Sequence, residues 1–130
     1  MRTIGMALVF LLVCPMLGSL EKHYRTLRVR VTAYCPCKVC CGSHAHGKTK
    51  IGRDARLPGV AVDPKVIPLR SYLDVPGYPR GPNHNGSWVM ADDTGDGIHG
   101  NHIDLRFETH EEALAWVRTH PSNITIRIWE

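Results

Sequence analysis

Nowhere does this chain gather its basic residues. Its 16 Lys and Arg stand against 12 Asp and Glu, a net charge of +4, yet they are scattered and form no arm or run. A nucleic-acid binder carries a clustered basic footprint, so no nucleic-acid partner is expected. Internal repeats and low-complexity tracts are also missing, which leaves out repeat arrays and compositionally biased linkers. A cysteine-rich stretch lacks the second half that a standard zinc finger needs at finger distance. An aspartate-rich loop lacks the acid that closes a calcium loop: counted from Asp92, the twelfth position is Ile103 where an EF-hand needs Glu.

The remaining composition is that of an ordinary globular protein, 43% hydrophobic and 22% charged. A length of 130 residues fits one domain plus a short leader, and a mature region of about 100 residues can bury one modest core. The mildly basic balance, with pI ≈ 8.9, suits an anionic partner such as cell-wall polymer. Residues 1–22 combine Arg2 with an apolar stretch from Ile4 to Leu20, as a signal peptide or N-terminal anchor does. Pro15 interrupts that stretch, which is slightly short for a spanning helix. A membrane association through this segment and an exported, secreted or cell-envelope location are therefore expected. Cys14 follows a valine, so it reads as an unmodified cysteine of the leader rather than a lipid-attachment site.

"YCPCKVCCGSHAH" carries Cys35, Cys37, Cys40 and Cys41, with His44 and His46 behind them. In an exported chain such density reads as two disulfides. Adjacent Cys40 and Cys41 are poorly placed to join each other, so each is expected to pair with Cys35 or Cys37, in an order the sequence leaves open. A metal site and free thiols are the alternatives.

Alternation predicts strands over Thr26–Tyr34, in "PGVAVDP", over Ser71–Val75, in "SWVMAD", in "HIDLRF" and in "NITIRIW". In "HIDLRF" the apolar Ile103, Leu105 and Phe107 share one face, which leaves His102, Asp104 and Arg106 on the other, where a solvated strand face would suffice for them. "PRGPNHNGS" is a loop by composition. "THEEALAWVRTHP" predicts a helix, with Thr109 as N-cap, Glu112 completing a capping box and Pro121 as the stop. Many short strands with one such helix indicate a small β-barrel or a β-rich α+β fold.

"ADDTGDGIHGNHIDLRF" crowds four aspartates among glycines. A polar turn explains Asp96 and Gly97 but leaves Asp104 unexplained. A hairpin bringing Asp93 and Asp104 into one cleft, with Asp63 poised at a strand end, would push their pKa values apart. One carboxyl could then stay protonated near neutral pH and give its proton to a glycosidic oxygen.

At these residues the chain resembles the 3D, or three-aspartate, domain family. "GVAVDPKVIPL" carries the first aspartate as Asp63, "ADDTG" the second as Asp93 and "GNHIDLRF" the third as Asp104. "VTAYCP" with a following "GKT" resembles the family's opening strand and its threonine, Thr49, and "THEEALAWVR" resembles its helix. Departures are Asp96 for glycine, His99 for lysine, Arg70 for glycine and a longer Pro79–Ser87 turn. The resemblance covers roughly Arg28 to Trp129, which makes residues 26–130 the domain, and implies a mainly β fold, a six-stranded double-psi β-barrel with one or two short helices. It implies an exported lytic transglycosylase or muramidase cutting the β-1,4 bond between N-acetylmuramic acid and N-acetylglucosamine. Asp104 or Asp93 would be the acid, its carboxylate then taking the C6 hydroxyl proton to give a 1,6-anhydro product, and Asp63 would orient or tune it. Thr49, Gly95, His99 and Asn101 would contact substrate, and Tyr78 and Trp88 could stack on sugar rings, while Trp116 and Trp129 belong to the core. Peptidoglycan glycan strands would be the partner of a monomer that needs no cofactor or metal. Two other readings are a non-catalytic glycan-binding module on the same barrel and a metal-dependent hydrolase.

Overall fold

The computed structural model describes residues 23–79 and 88–130. The expected leader, residues 1–22, and residues 80–87 of the expected loop lie outside the described residues. Six strands close into a barrel: β1 (Arg25–Tyr34), β2 (Val60–Val62), β3 (Tyr72–Asp74), β4 (Trp88–Asp93), β5 (His102–Arg106) and β6 (Asn123–Trp129). Their order around the barrel is β1-β5-β2-β4-β3-β6. Pairs β1/β5 and β2/β4 are parallel and the others antiparallel. The expected six-stranded barrel is therefore the observed one. Helices α1 (Lys38–Cys41) and α2 (His110–Thr119) follow β1 and β5. Among the described residues no helix is long and apolar enough to cross a membrane.

Alternation determines what faces inward. Val29 and Val31 of β1 and Ile126 and Ile128 of β6 are buried, while Arg28, Arg30, Thr125 and Arg127 face out. β2 is buried at all three positions, with Val60 and Val62 in the hydrophobic core. α2 begins as expected, with the Thr109 hydroxyl accepting from the Glu112 N–H at 3.2 Å. It buries Ala113 and Trp116 against the barrel and leaves Leu114 and Val117 at the surface.

One expectation about β5 is corrected. Its second face is covered: His102 is 5% exposed and Arg106 0%. Arg106 can be buried because every guanidinium N–H has a partner. It forms a two-pronged pair with Asp92 at 2.9 and 2.8 Å, donates from Nε and Nη2 to the Leu57 carbonyl, and donates to the Tyr34 hydroxyl. Burial alone would lower the Arg106 pKa, but hydrogen bonds and charge from Asp92 and Tyr34 outweigh it and hold the group charged. Asp92 also accepts from Arg53 at 2.8 Å. The pair needs backbone close by. A Cβ on Gly59 would lie 2.1 Å from Arg106 Nη2 and 2.4 Å from Asp92 Oδ1, so glycine is the residue that fits there.

Arg70 occupies the left-handed region at φ 75°, alone among the described non-glycine residues. Its N–H is held by the Ala91 carbonyl at 2.7 Å, which fixes the turn into β3. An L side chain in that region costs about 1–2 kcal/mol, which glycine escapes, partly offset by its greater unfolded-state freedom. Arg70→Gly is therefore expected to stabilise the fold by about 0.5–1 kcal/mol, read as a rise in the urea midpoint with the slope unchanged. Arg106→Leu leaves the buried Asp92 carboxylate with Arg53 as its remaining cation and is expected to cost about 3–5 kcal/mol. Adding Asp92→Leu should recover part of that loss, and a double-mutant cycle with no coupling would show that the pair does not act as a unit.

Candidate active site

The two adjacent aspartates of "ADD" part company through a β-bulge. On β2, Val60 pairs with Ala91 and the next residue, Ala61, pairs with Asp93, so Asp92 is the extra residue on β4. A bulge re-aims side chains locally. Here Asp92 reaches the buried Arg106 while Asp93 lines the open groove. Ala61 also pairs with Asp104 on the other side. Asp93 and Asp104 thus flank the same residue across two strand spacings, with Cα atoms about 10 Å apart. The Ala61 methyl, buried between them, leaves room for both carboxylates to face one space.

That space is a groove of ≈ 600 Å³ lined by Tyr34, Cys41, Lys48, Thr49, Asp93 and Asp104 among others. A groove of this size admits a sugar ring. Asp104 comes from mid-β5 and is largely enclosed. Burial raises its pKa, a hydrogen bond from Thr32 opposes the rise, the charge of Asp93 adds to it, and the result is about 6. The Thr32 hydroxyl lies 2.8 Å from Asp104 Oδ1 and 2.8 Å from His102 Nε2. Arg30 Nη2 lies 3.2 Å from His102 Nδ1. These contacts are met together when Nδ1 accepts from Arg30 and Nε2–H donates to Thr32, which in turn donates to Asp104. Burial, and after it the Arg30 charge, lowers the His102 pKa and favours that neutral form.

Asp93 is held differently. Its Oδ2 accepts from the Tyr34 hydroxyl at 3.0 Å, and its Oδ1 accepts from the Lys50 and Thr94 N–H groups at 2.9 Å each. Tyr34 itself accepts from Arg106 at 3.2 Å. Burial pushes the Tyr34 phenol up, with Arg106 opposing and Asp93 reinforcing, so it remains a donor.

Thr49 and Gly95 line the groove, together with Asp96. Thr49 is 4% exposed and its hydroxyl accepts from the Arg53 N–H at 3.1 Å, which braces the loop that brings Lys50 to Asp93. Asp63 is not among the groove-lining residues. Its carboxylate caps the turn after β2, accepting from Lys65 N–H at 3.0 Å and from Gly100 N–H at 2.8 Å. These bonds hold its pKa below the usual carboxylate value. It ties the β2 turn to the loop entering β5, so the expectation that Asp63 tunes the acid gives way to a bracing role. His99, whose charge acts on Asp63, and Asn101 are exposed on that same loop and do not line the groove.

The proposed stacking residues are corrected too. Tyr78 is 3% exposed, packs edge-on against Phe107 and donates its hydroxyl to the Arg106 carbonyl. Trp88 starts β4, at the opposite end from Asp93, and stacks on Trp129 with centroids 4.1 Å apart. Trp116 is core, as expected, but Trp129 is only half-buried. The expected cysteine pairing is also replaced. A disulfide joins Cys35 to Cys37, while Cys40 and Cys41 are thiols. Helix α1 sets the last two a turn away. Sequence reasoning missed Thr32, Tyr34, Asp92 and Arg106. The only sequence signal was alternation, which puts Thr32 and Tyr34 on the same face of β1.

Comparison with known proteins fits this geometry. The sequence profile of the 3D domain matches residues 59–126. A Bacillus subtilis protein named "Putative cell wall shaping protein YabE" is 34% identical over 111 residues, 85% of this chain and 24% of that protein. The "SPbeta prophage-derived uncharacterized protein YorM" of the same organism is 34% identical over 104 residues, 75% of this chain and 40% of its own length. The chain therefore spans well under half the length of either relative.

The raised Asp104 pKa has a stability consequence with a definite sign. Between 3.8, its ordinary value, and about 6, the folded state holds a proton that the unfolded state has lost. Stability therefore falls as pH rises through that window, by about 3 kcal/mol in all. Asp104→Asn is expected to remove this slope and to be more stable than wild type at pH 7.5, but not at pH 4. Denaturation curves at the two pH values check it, and equal slopes in both proteins would contradict the buried, protonated acid.

Proposed function

The chain belongs to the 3D domain family, and on that premise we propose that it cleaves glycan strands of the bacterial cell wall as a lytic transglycosylase or muramidase. The observation that carries this reading is Asp104, an enclosed carboxyl with pKa about 6 in an open groove opposite Asp93. The name of the Bacillus relative supports a cell-wall setting, and the leader-like residues 1–22 support export to the envelope or beyond.

In this reading the glycosidic oxygen between N-acetylmuramic acid and N-acetylglucosamine enters the groove beside Asp104. The protonated carboxyl gives its proton to that oxygen as the C1–O bond breaks. Thr32 donates its hydroxyl to Asp104 Oδ1 throughout, and that bond strengthens as charge develops on the carboxylate. Asp93, held by three hydrogen-bond donors, presents a fixed negative charge to the oxocarbenium-like sugar. The Asp104 carboxylate then takes the proton of the muramic C6 hydroxyl, whose oxygen closes on C1 to give the 1,6-anhydro sugar. Acid and base are the same group, so no second catalytic carboxylate is required at hydrolase spacing. The polar rim of Lys48, Lys50 and Thr94 suits sugar hydroxyls and the muramic peptide's carboxylates.

Mass spectrometry of a peptidoglycan digest tests the proposal. Wild type should release anhydro-muropeptides, with kcat/KM falling as pH rises above about 6. Asp104→Asn should lose about 10²–10⁴-fold, while Asp63→Asn, which alters only a turn brace, should keep most of the rate if folded. Saturable glycan binding by wild type with no product, unchanged in Asp104→Asn, would leave a binding module in place of an enzyme.

A further inference from the structure

The cysteine cluster forms a second centre beside the groove, and the proposed cleavage makes no use of it. The sulfur atoms of Cys35, Cys37 and Cys40 all lie within 4.8 Å of one another. His110, the first residue of α2, brings its Nδ1 to 3.4 Å from Cys40 Sγ. Cys41 faces elsewhere: its sulfur contacts the Cys35 carbonyl, its side chain lines the groove, and the charges of Asp93 and Asp104 act on it.

We propose that, with Cys35 and Cys37 as thiols, Cys35, Cys37, Cys40 and His110 form a structural zinc site that clamps the N-terminus of α2 to the loop after β1. Tetrahedral zinc has Zn–S of about 2.3 Å and Zn–N of about 2.0 Å, which sets S···S edges of about 3.8 Å and S···N edges of about 3.5 Å. Cys40 Sγ lies 3.4 Å from His110 Nδ1 and 3.1 Å from Cys35 Sγ, and reducing the Cys35–Cys37 disulfide frees those two sulfurs to move apart to that spacing. Three thiolates and one imidazole fill the coordination shell, so the metal has no open position for water and a role in holding structure. Soft thiolates with one imidazole select zinc over magnesium or calcium. Binding exchanges the three thiol protons for one Zn²⁺ and needs no oxidant. The Cys35–Cys37 disulfide is the alternative, metal-free state of the same centre. The site also fixes the groove wall, since Cys40 and Cys41 both line it.

The fourth ligand explains why the cysteines resemble no finger. His110 lies 70 residues beyond Cys40, brought there because β5 pairs in parallel with β1 and α2 leaves its end.

The test uses the full chain, treated with a phosphine that takes oxygen from water as it reduces the disulfide, then dialysed and titrated with Co²⁺ and with Zn²⁺ alone. One equivalent of Co²⁺ should bind with the intense visible absorption of a tetrahedral site and sulfur-to-metal charge-transfer bands, and Zn²⁺ should displace it. Cys40→Ser and His110→Ala should each weaken binding by more than about 10-fold. His110→Cys should restore it with added charge-transfer intensity, which separates loss of a ligand from misfolding of α2. Cys41→Ser should change affinity little. The proposal is overturned if the reduced chain binds no stoichiometric metal, if Cys41→Ser weakens binding as much as Cys40→Ser, or if His110→Ala matches wild type.

Discussion

The buried pairing of Arg106 with Asp92 is the interaction on which the rest of this barrel depends. Neither side chain is exposed, and a lone charge at that depth would be prohibitively costly. Arg106 is tolerable there because Asp92 faces it, and Asp92 because Arg106 and Arg53 both reach its carboxylate. The pair stitches β5 to β4 across the intervening β2 and reaches the Leu57 carbonyl and Tyr34 at its edge. It also accounts for features that look unrelated in sequence. Gly59 is small because the guanidinium occupies the space a Cβ would take. β4 bulges at Asp92 because one of its two adjacent acids must turn to the buried partner.

From that pair the order passes outward to the groove. Arg106 donates to Tyr34, and Tyr34 donates to Asp93. A second chain runs from Arg30 through His102 and Thr32 to Asp104. Each carboxylate is therefore oriented by groups themselves held from behind. Asp93 is tied by three donors while Asp104 has a single hydroxyl, and burial dominates at Asp104. Two like groups facing one space are set apart by their surroundings, as acid–base chemistry near neutral pH requires. The enclosure that keeps Asp104 protonated also works against folding once the proton leaves, so the site's chemistry and the domain's stability oppose each other there.

The strands and the main helix were legible because each advertises itself locally. β1 and β6 alternate over long enough stretches to define an inner face, and Thr109 with Glu112 marks a helix start on hydrogen-bonding chemistry alone. Asp93 and Asp104 were legible as groups that could share a cleft, but not as the hairpin expected: β4 and β5 do not pair, and β2 lies between them. His102 and Arg106 were misjudged for a plain reason. Alternation says which side chains share a face but not whether another element covers that face, and polar residues default to solvent until a partner is found. Tyr78 and Asp63 failed the same way: an aromatic and an acid near a motif carry no sign of whether they meet ligand, core or backbone.

By itself the sequence determined the periodicities, the capping, the turn chemistry and the family motifs, all of which act over a few neighbouring residues. Tertiary structure alone decided which aspartate pairs with Arg106, which one faces the groove, and that Asp63 closes a turn. It alone brought His110 to Cys40. The physical reason is that these outcomes depend on strand order and a one-residue bulge, through which residues 70 or more positions apart become neighbours. No local preference encodes such distances, because only closing the barrel fixes which faces meet.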